Sequence, residues 1–273
     1  MLNNAMQTEN KENLIEIKDL VKTYHSDSGF LMPKATEVHA IRGVTLEIKK
    51  GEILGLVGES GCGKSTLGNC ILKLLDVTSG EIYYKGENIL KYSAKQTRDF
   101  RTKAQLIFQN PYSSLNPKMK IGEILKEPLI VNGIKDKSLQ KEYLEIVLDY
   151  VGLSESDLKR FPHEFSGGQR QRIAIARALI LKPEFIVADE PISALDVSIQ
   201  AQIINLLIDL KNRLDLTYLF ISHDLNVVRY LCSRVAIMYR GEIVEIGAVE
   251  DIFYHPKHPY TKTLLSAIPT IVY

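Results

Sequence analysis

Cysteine is scarce in this sequence, and the little there is forms no pattern. Cys62, Cys70 and Cys232 are odd in number and lack C-x-x-C spacing, which argues against a disulfide framework or structural zinc, so all three read as reduced thiols. An excess of charge of either sign is missing too. The 34 basic and 33 acidic residues leave a formal charge of +1, too little for a broad electrostatic grip on nucleic acid or anionic lipid. No nucleic-acid partner is therefore expected, and any partner must be recognised locally. No apolar run approaches the roughly 18 residues of a membrane-spanning helix. Met1 to Lys11 is polar, without the basic and then apolar regions of a secretory leader, which gives the chain a cytosolic character. Internal repeats and low-complexity linkers are also absent. What remains is 273 residues, enough for one large α/β domain, or a core with a smaller lobe, around a sizeable interior.

The stretch around which the rest is organised is Gly58-Glu59-Ser60-Gly61-Cys62-Gly63-Lys64-Ser65-Thr66, which fits the phosphate-binding loop pattern G-x-x-x-x-G-K-[ST] at every fixed position. It follows the apolar run Ile53 to Val57, a buried-strand pattern, and precedes Leu67, Ile71, Leu74 and Leu75 at helical spacing. Strand, loop and helix in that order are the context the motif requires. Glycines let successive backbone N–H groups turn inward, and the helix N-terminus adds partial positive charge. A nucleoside triphosphate fits that field, with Lys64 reaching its β- and γ-phosphates and the Ser65 hydroxyl as a Mg²⁺ ligand. The glycine order excludes a dinucleotide fingerprint. Cys62, beside a helix N-terminus and Lys64, is expected to have a lowered pKa and a reactive thiol whose alkylation blocks ATP binding.

Upstream, Leu14 to Tyr24 reads as a strand, and Val38, Ala40 and Ile41 followed by Val44, Leu46 and Ile48 give further period-two segments. A mostly antiparallel β-layer thus precedes the loop, interrupted by an extension from His25 to Thr36. A hairpin is expected over Glu81 to Asn88, then a short strand from Gln105 to Phe108. The middle changes texture: Ile121 to Leu129, Lys141 to Val151 and Glu155 to Phe161 carry helical spacing, broken by Pro128, Gly133, Gly152 and Pro162. From Ser166 the α/β alternation returns, with strands expected at Phe185 to Ala188, Tyr218 to Ile221, Val235 to Met238 and Ile243 to Ile246.

Two further groups carry chemistry. Phe185 to Glu190 is a buried strand delivering Asp189 and Glu190 at its C-terminal end, where ligands sit in open α/β sheets. Asp189 suits Mg²⁺, directly or through water, and Glu190 suits orienting or deprotonating the attacking water; taken alone, the pair reads equally as a solvated acidic turn. Phe165-Ser166-Gly167-Gly168-Gln169 opens the helix from Arg170 to Leu181. It is either a simple N-cap at Ser166 or a second phosphate-reading surface.

Taken together, Gly58 to Thr66, Gln109 after Phe108, Phe165 to Gln169, Phe185 to Glu190, Ser193-Ala194-Leu195-Asp196 and Ser222-His223-Asp224 stand in one order. The set resembles the nucleotide-binding subunit of an ABC transporter, over Leu14 to Ala267. Phe165 departs from the leucine usual at the start of the signature. The resemblance implies an α/β fold with a RecA-like P-loop core, an antiparallel β-subdomain and a helical subdomain. Its expected limits are 14–110 for the β-layer and P-loop part, 111–165 for the helical part (the signature helix reaching about 181), 166–250 for the rest of the core and 251–273 for a C-terminal tail. It also implies roles. Gln109 would sense the γ-phosphate and Mg²⁺, His223 would hydrogen-bond the γ-phosphate, and Tyr24, or else Phe30, would stack on adenine. Asp196 would lie at a dimer seam. Ser166, Gly167, Gly168 and Gln169 would contact the nucleotide held by a partner's P-loop, and a permease would insert a coupling helix around Gln109 to Glu127.

His255-Pro256-Lys257-His258-Pro259-Tyr260-Thr261-Lys262 and Gln109 to Pro117 are similar to the dipeptide and oligopeptide importer branch, closest to its F-type ATPase subunit. That implies an ATPase at the cytoplasmic face of the bacterial membrane, a D-type ATPase partner, two permeases and an extracytoplasmic binding protein. Importers of nickel, cobalt or metal chelates share these features, and a soluble ABC ATPase of another kind is the remaining alternative. Many members carry an iron-sulfur cluster on further cysteines; this sequence stops at Tyr273 without them, so no cluster is expected. His255 and His258 are the alternative metal pair, with neighbouring prolines against it.

Overall fold

The computed structural model describes residues 12–25, 37–110 and 114–267. Phe30, Pro111 to Ser113 and the last six residues lie outside them. The first two strands, β1 (Asn13–His25) and β2 (Glu37–Lys49), pair antiparallel. Their register shifts at Gly43, where Leu20 faces Val44 and Val21 faces Arg42, leaving Gly43 unpaired at φ 72°. Such a bulge changes the phase of the inward-facing side. Ile41, Val44, Leu46 and Ile48 are buried, while Val38, expected on the apolar face, is 59% exposed.

Ile53–Val57 forms β3, every residue buried, and runs into helix α1 (Lys64–Ile71). Next, β4 (Ser79–Tyr84) and β5 (Glu87–Asn88) make the expected hairpin. Its two turn residues, Lys85 and Gly86, both have positive φ, as a twist-compatible two-residue turn demands. These strands complete a four-stranded sheet in the order β2-β1-β4-β5. Helix α2 (Ala94–Lys103) then leads to β6 (Ala104–Ile107).

The helical segment contains α3 (Ile121–Val131), α4 (Lys137–Val151) and short 3₁₀ turns at Glu155–Lys159 and Pro162–Glu164. Pro128 does not break α3, contrary to the sequence expectation. The buried face Ile121, Ile124, Leu125 and Leu129 continues through it. That packing outweighs one lost intrahelical bond, and the Pro128 carbonyl is itself taken up by the Asn132 side chain at 2.8 Å. Gly152, at φ 68°, ends α4 as a left-handed cap.

The chain continues through α5 (Gly167–Leu179), β7 (Phe185–Asp189), α6 (Val197–Leu214), β8 (Thr217–Ser222), α7 (Leu225–Leu231), β9 (Arg234–Tyr239), β10 (Glu242–Ala248), α8 (Val249–Tyr254) and α9 (Pro259–Ser266). The second sheet has the order β10-β9-β3-β8-β7-β6, parallel except for β10. Continuous apolar strands are what a sheet covered on both faces needs. Along β8, Tyr218 and Phe220 enter one core with the helical segment, while Leu219 and Ile221 enter the other with α1 and the antiparallel sheet. The C-terminal ends of β3, β8, β7 and β6 therefore lie side by side, and each carries a candidate residue. Among the described residues no helix is long and apolar enough to cross a membrane.

Candidate active site

The loop after β3 is packed too tightly for side chains at two of its glycines. A Cβ on Gly58 would stand 2.1 Å from the Met238 carbonyl oxygen, and one on Gly63, already at φ 110°, would stand 2.3 Å from that of Ala40. The Gly241 amide donates to the Cys62 carbonyl at 3.0 Å. The loop is thus held by β2 on one side and by the β9–β10 turn on another. Lys64 is buried, 5% exposed, and its ammonium donates to the carbonyls of Gly58 (2.7 Å) and Glu59 (2.8 Å). Folding the lysine back satisfies a buried charge from inside the loop.

Cys62 requires a correction. Its side chain is 7% exposed and lies 3.8 Å from the Lys64 ammonium. Burial pushes the thiol up and outweighs the lowering by Lys64. The expected reactive thiolate is instead a shielded thiol, because desolvation acts against the charged form.

Ser65, in the first turn of α1, donates to Asp189 Oδ1 at 2.9 Å, joining the loop to the end of β7. The Asp189 carboxyl is pushed above the usual range by burial; the Ser65 hydrogen bond opposes this, the neighbouring Glu190 charge adds to it, and Lys64 opposes it. Glu190 has φ 44°, in the left-handed region. Its amide is fixed by the Ile221 carbonyl at 2.9 Å. This turn aims the carboxylate sideways, where Oε2 accepts from Gln109 Nε2 at 2.8 Å and lies 3.2 Å from His223 Nδ1. Residues 81 and 33 positions away from Glu190 thus meet on one oxygen. Sequence order gave no sign of that contact; strand order creates it.

Ser166 caps α5. Its hydroxyl accepts from the Gln169 amide at 3.3 Å, and the Gln169 side chain accepts from the Ser166 amide at 3.0 Å. These bonds close on each other and leave both residues exposed. Gly168 has a packing role of its own, since a Cβ there would stand 2.5 Å from Ile199 on α6. Gly167 lies beside it at the first position of the helix. Tyr24 is 39% exposed on β1 and faces Val38, two residues from the Ala40 carbonyl that abuts Gly63. The remaining loop residues, Ser60, Gly61 and Thr66, follow the same turn, with Gly61 at φ 79°.

The family models bear on this geometry. The model described as ABC transporter matches residues 41–193, which include the loop, Gln109, the start of α5, Asp189 and Glu190. The chain belongs to the ABC transporter family. A second model, the C-terminal region of oligopeptide/dipeptide transporters, matches residues 244–272. Among relatives of this ABC protein, an oligopeptide transport ATP-binding protein, OppF, of Streptococcus mutans is 51% identical over 96% of this chain and 83% of its own length. A dipeptide transport ATP-binding protein, DppF, of Haemophilus influenzae is 49% identical over 97% and 82%. Among solved structures, a dimeric post-hydrolysis ATP-binding cassette bound to ADP and Pi matches with TM-score 0.74 at 31% identity, covering 86% of this chain and 98% of that one. The ABC fold expected from sequence is thus the fold observed.

Two contacts escaped the sequence reading. One is the wall that Ala40, Met238 and Gly241 raise around the loop, formed by backbone atoms that no side-chain motif marks. The other is the tail residue Tyr260, whose hydroxyl accepts from the Glu59 amide at 3.1 Å. The sequence flagged Tyr260 only as a branch marker. His258 accepts the Tyr260 amide on Nδ1 and caps α9.

Proposed function

We propose that this chain is the ATP-hydrolysing subunit that powers import of di- and oligopeptides across the bacterial cell membrane. The observation that carries the hydrolytic part is the meeting of Gln109 and His223 on Glu190, next to the Ser65–Asp189 hydrogen bond and the Lys64-filled loop. The relatives' transport of oligopeptides and dipeptides, together with the matched C-terminal region, supports the cargo class.

Phosphates entering the loop offer Lys64 stronger acceptors than the two carbonyls it now holds, and the loop amides and the α1 N-terminus take the remaining charge. Ser60, Gly61, Cys62, Gly63, Lys64, Ser65 and Thr66 supply those amides. Ser65, Asp189 and Gln109 present hard oxygen donors suited to magnesium, which when bound would neutralise charge between the β- and γ-phosphates. Such a site relies on phosphate oxygens, and so needs no cluster of three or more His, Cys, Asp or Glu, of which the described residues contain none. Glu190 holds or deprotonates the attacking water, and His223 and Gln109 orient Glu190 and report the γ-phosphate. Tyr24 is the ring for adenine.

The helix start at Ser166, Gly167, Gly168 and Gln169, exposed at Ser166 and Gln169, completes the nucleotide site of a second ATPase subunit, of D type, with Asp196 at the seam. Val197, 81% exposed beside Asp196, supports a covered surface there. Force passes to two permease subunits through a groove of about 1100 Å³ between Leu74, Phe108, Glu127 and Val131. Leu74, Phe108 and Val131 are exposed apolar residues in it, as a coupling helix would require. The subunit thus sits at the cytoplasmic face of the membrane, and a binding protein outside delivers cargo.

In proteoliposomes holding this chain, its second ATPase and both permeases, binding protein loaded with a di- or oligopeptide should stimulate ATP hydrolysis several-fold. Stimulation by nickel or a metal chelate, with none by peptides, would overturn the cargo assignment.

A further inference from the structure

The phosphate loop is braced from the far end of the chain. The Glu59 amide donates to the Tyr260 hydroxyl at 3.1 Å. The Tyr260 ring lies against Tyr239, with centroids 4.1 Å apart and planes inclined by 30°, and the Arg240 guanidinium sits 5.0 Å from the centre of the Tyr239 ring. Tyr239 ends β9, directly after the Met238 whose carbonyl faces Gly58. Tyr260 is itself fixed in the first turn of α9. His258 Nδ1 accepts its amide, and the Glu245 carboxylate on β10 accepts the amides of Lys257 (2.8 Å) and His258 (3.0 Å). A continuous set of hydrogen bonds therefore runs from β10 through the His-Pro-Tyr turn to the second residue of the loop.

We infer that Tyr260 is a positioning residue for the phosphate loop, holding its Glu59 end in the nucleotide-accepting conformation and so making the C-terminal region a determinant of ATP affinity. The inference rests on the reading of this loop as the ATP site. Its physical basis is entropy. A loop with glycines at positions 58, 61 and 63 is costly to order, and the bonds of Lys64, to the Gly58 and Glu59 carbonyls and the Cys62 sulfur, all stay inside the loop. Glu59 is exposed, so without Tyr260 its amide pairs with water and the loop entrance loses its outer tether, keeping only the bonds of its carbonyl to the Lys64 ammonium and the Cys62 amide. ATP must then order the loop itself, which weakens binding and leaves the chemical step unchanged once ATP is bound. Burial pushes the Tyr260 phenol up, so it stays neutral at physiological pH.

Tyr260→Phe keeps the stack on Tyr239 and removes the acceptor. Loss of one net hydrogen bond is expected to raise the Kd and KM for ATP about two- to ten-fold, with kcat at saturating ATP unchanged and the melting temperature lowered by no more than about 4 °C. Amide exchange across residues 59–64 of the nucleotide-free protein should accelerate. Tyr260→Ala, which also loses the stack, should move the same quantities further. Unchanged exchange and Kd in both variants would overturn the proposal, as would a fall in kcat at constant KM. If the wild-type protein bound no ATP, the ATP-site reading would fail instead. The exchange measurement would then decide the Tyr260 brace alone, a loosened loop supporting it and an unchanged one refuting it.

Discussion

The phosphate loop and the start of α5 are both helix N-termini with backbone amides at their mouths, yet they are finished to different degrees. The loop is enclosed: its glycines press on the carbonyls of Ala40 and Met238, and Lys64 is buried on its own loop's oxygens. At α5, the side chains of Ser166 and Gln169 accept each other's amides, and both residues stay exposed. On the proposed reading, the difference separates a receptor from a probe: one region would hold a ligand within this chain, and the other would present donors outward to a ligand that belongs to another chain. Opening and closing of such a pair can be driven by ATP because the second contact exists only in the closed state.

The sharpest break between the two regions comes from the chemistry. Glu190→Gln keeps the size and the acceptor oxygen but cannot take a proton, so hydrolysis should fall about 10²- to 10⁴-fold, while ATP affinity measured by calorimetry stays near wild type. Retained turnover would remove Glu190 from the reaction. Next comes packing on the exposed side. Gly168→Ala puts a methyl 2.5 Å from Ile199 Cγ2 and should destabilise the chain by about 1–3 kcal/mol through overpacking, as read by denaturant unfolding. An unchanged midpoint would mean that α5 and α6 part without cost. The smallest effect concerns the loop side without nucleotide. Because the folded-state pKa of Asp189 is raised, its contribution favours folding below the unfolded carboxyl value and is lost as pH rises through the folded one. Asp189→Asn should therefore raise the melting temperature of the nucleotide-free protein at neutral pH, with the advantage vanishing near pH 4, the usual carboxyl value. A variant less stable than wild type at pH 7 would contradict that sign.

Much of this was legible in the sequence, for reasons that differ by element. The loop, β7 and α5 are local patterns in which residue type and backbone requirement coincide, so Gly63, Lys64, Ser65, Asp189 and Ser166 stand on the loop, the helix starts and the strand end expected of them. The register of β2 was less legible, because the pairing with β1 shifts at Gly43 and again at Ala40, and Val38, beyond both irregularities, is exposed. Pro128 misled because packing of Leu125 and Leu129 overrode a local breaker. Cys62 misled because its neighbours in sequence favour a thiolate, whereas its burial, a property of the folded loop, does not. Contacts such as Gln109 and His223 on Glu190, or Tyr260 on Glu59, depend on strand order and on the return of the tail, which no window of sequence contains.

The central claim is that this chain carries half of a nucleotide site twice over, a loop half and a signature half. It is tested most directly by comparing Lys64→Ala with Ser166→Arg in the presence of the second ATPase subunit, measuring ATP binding by each variant alone and ATP-driven association of the pair by sedimentation. Lys64→Ala should lose ATP binding and association together. Ser166→Arg should bind ATP as the wild type does and fail to associate; loss of ATP binding by the isolated Ser166→Arg chain, or undiminished association, would contradict the account.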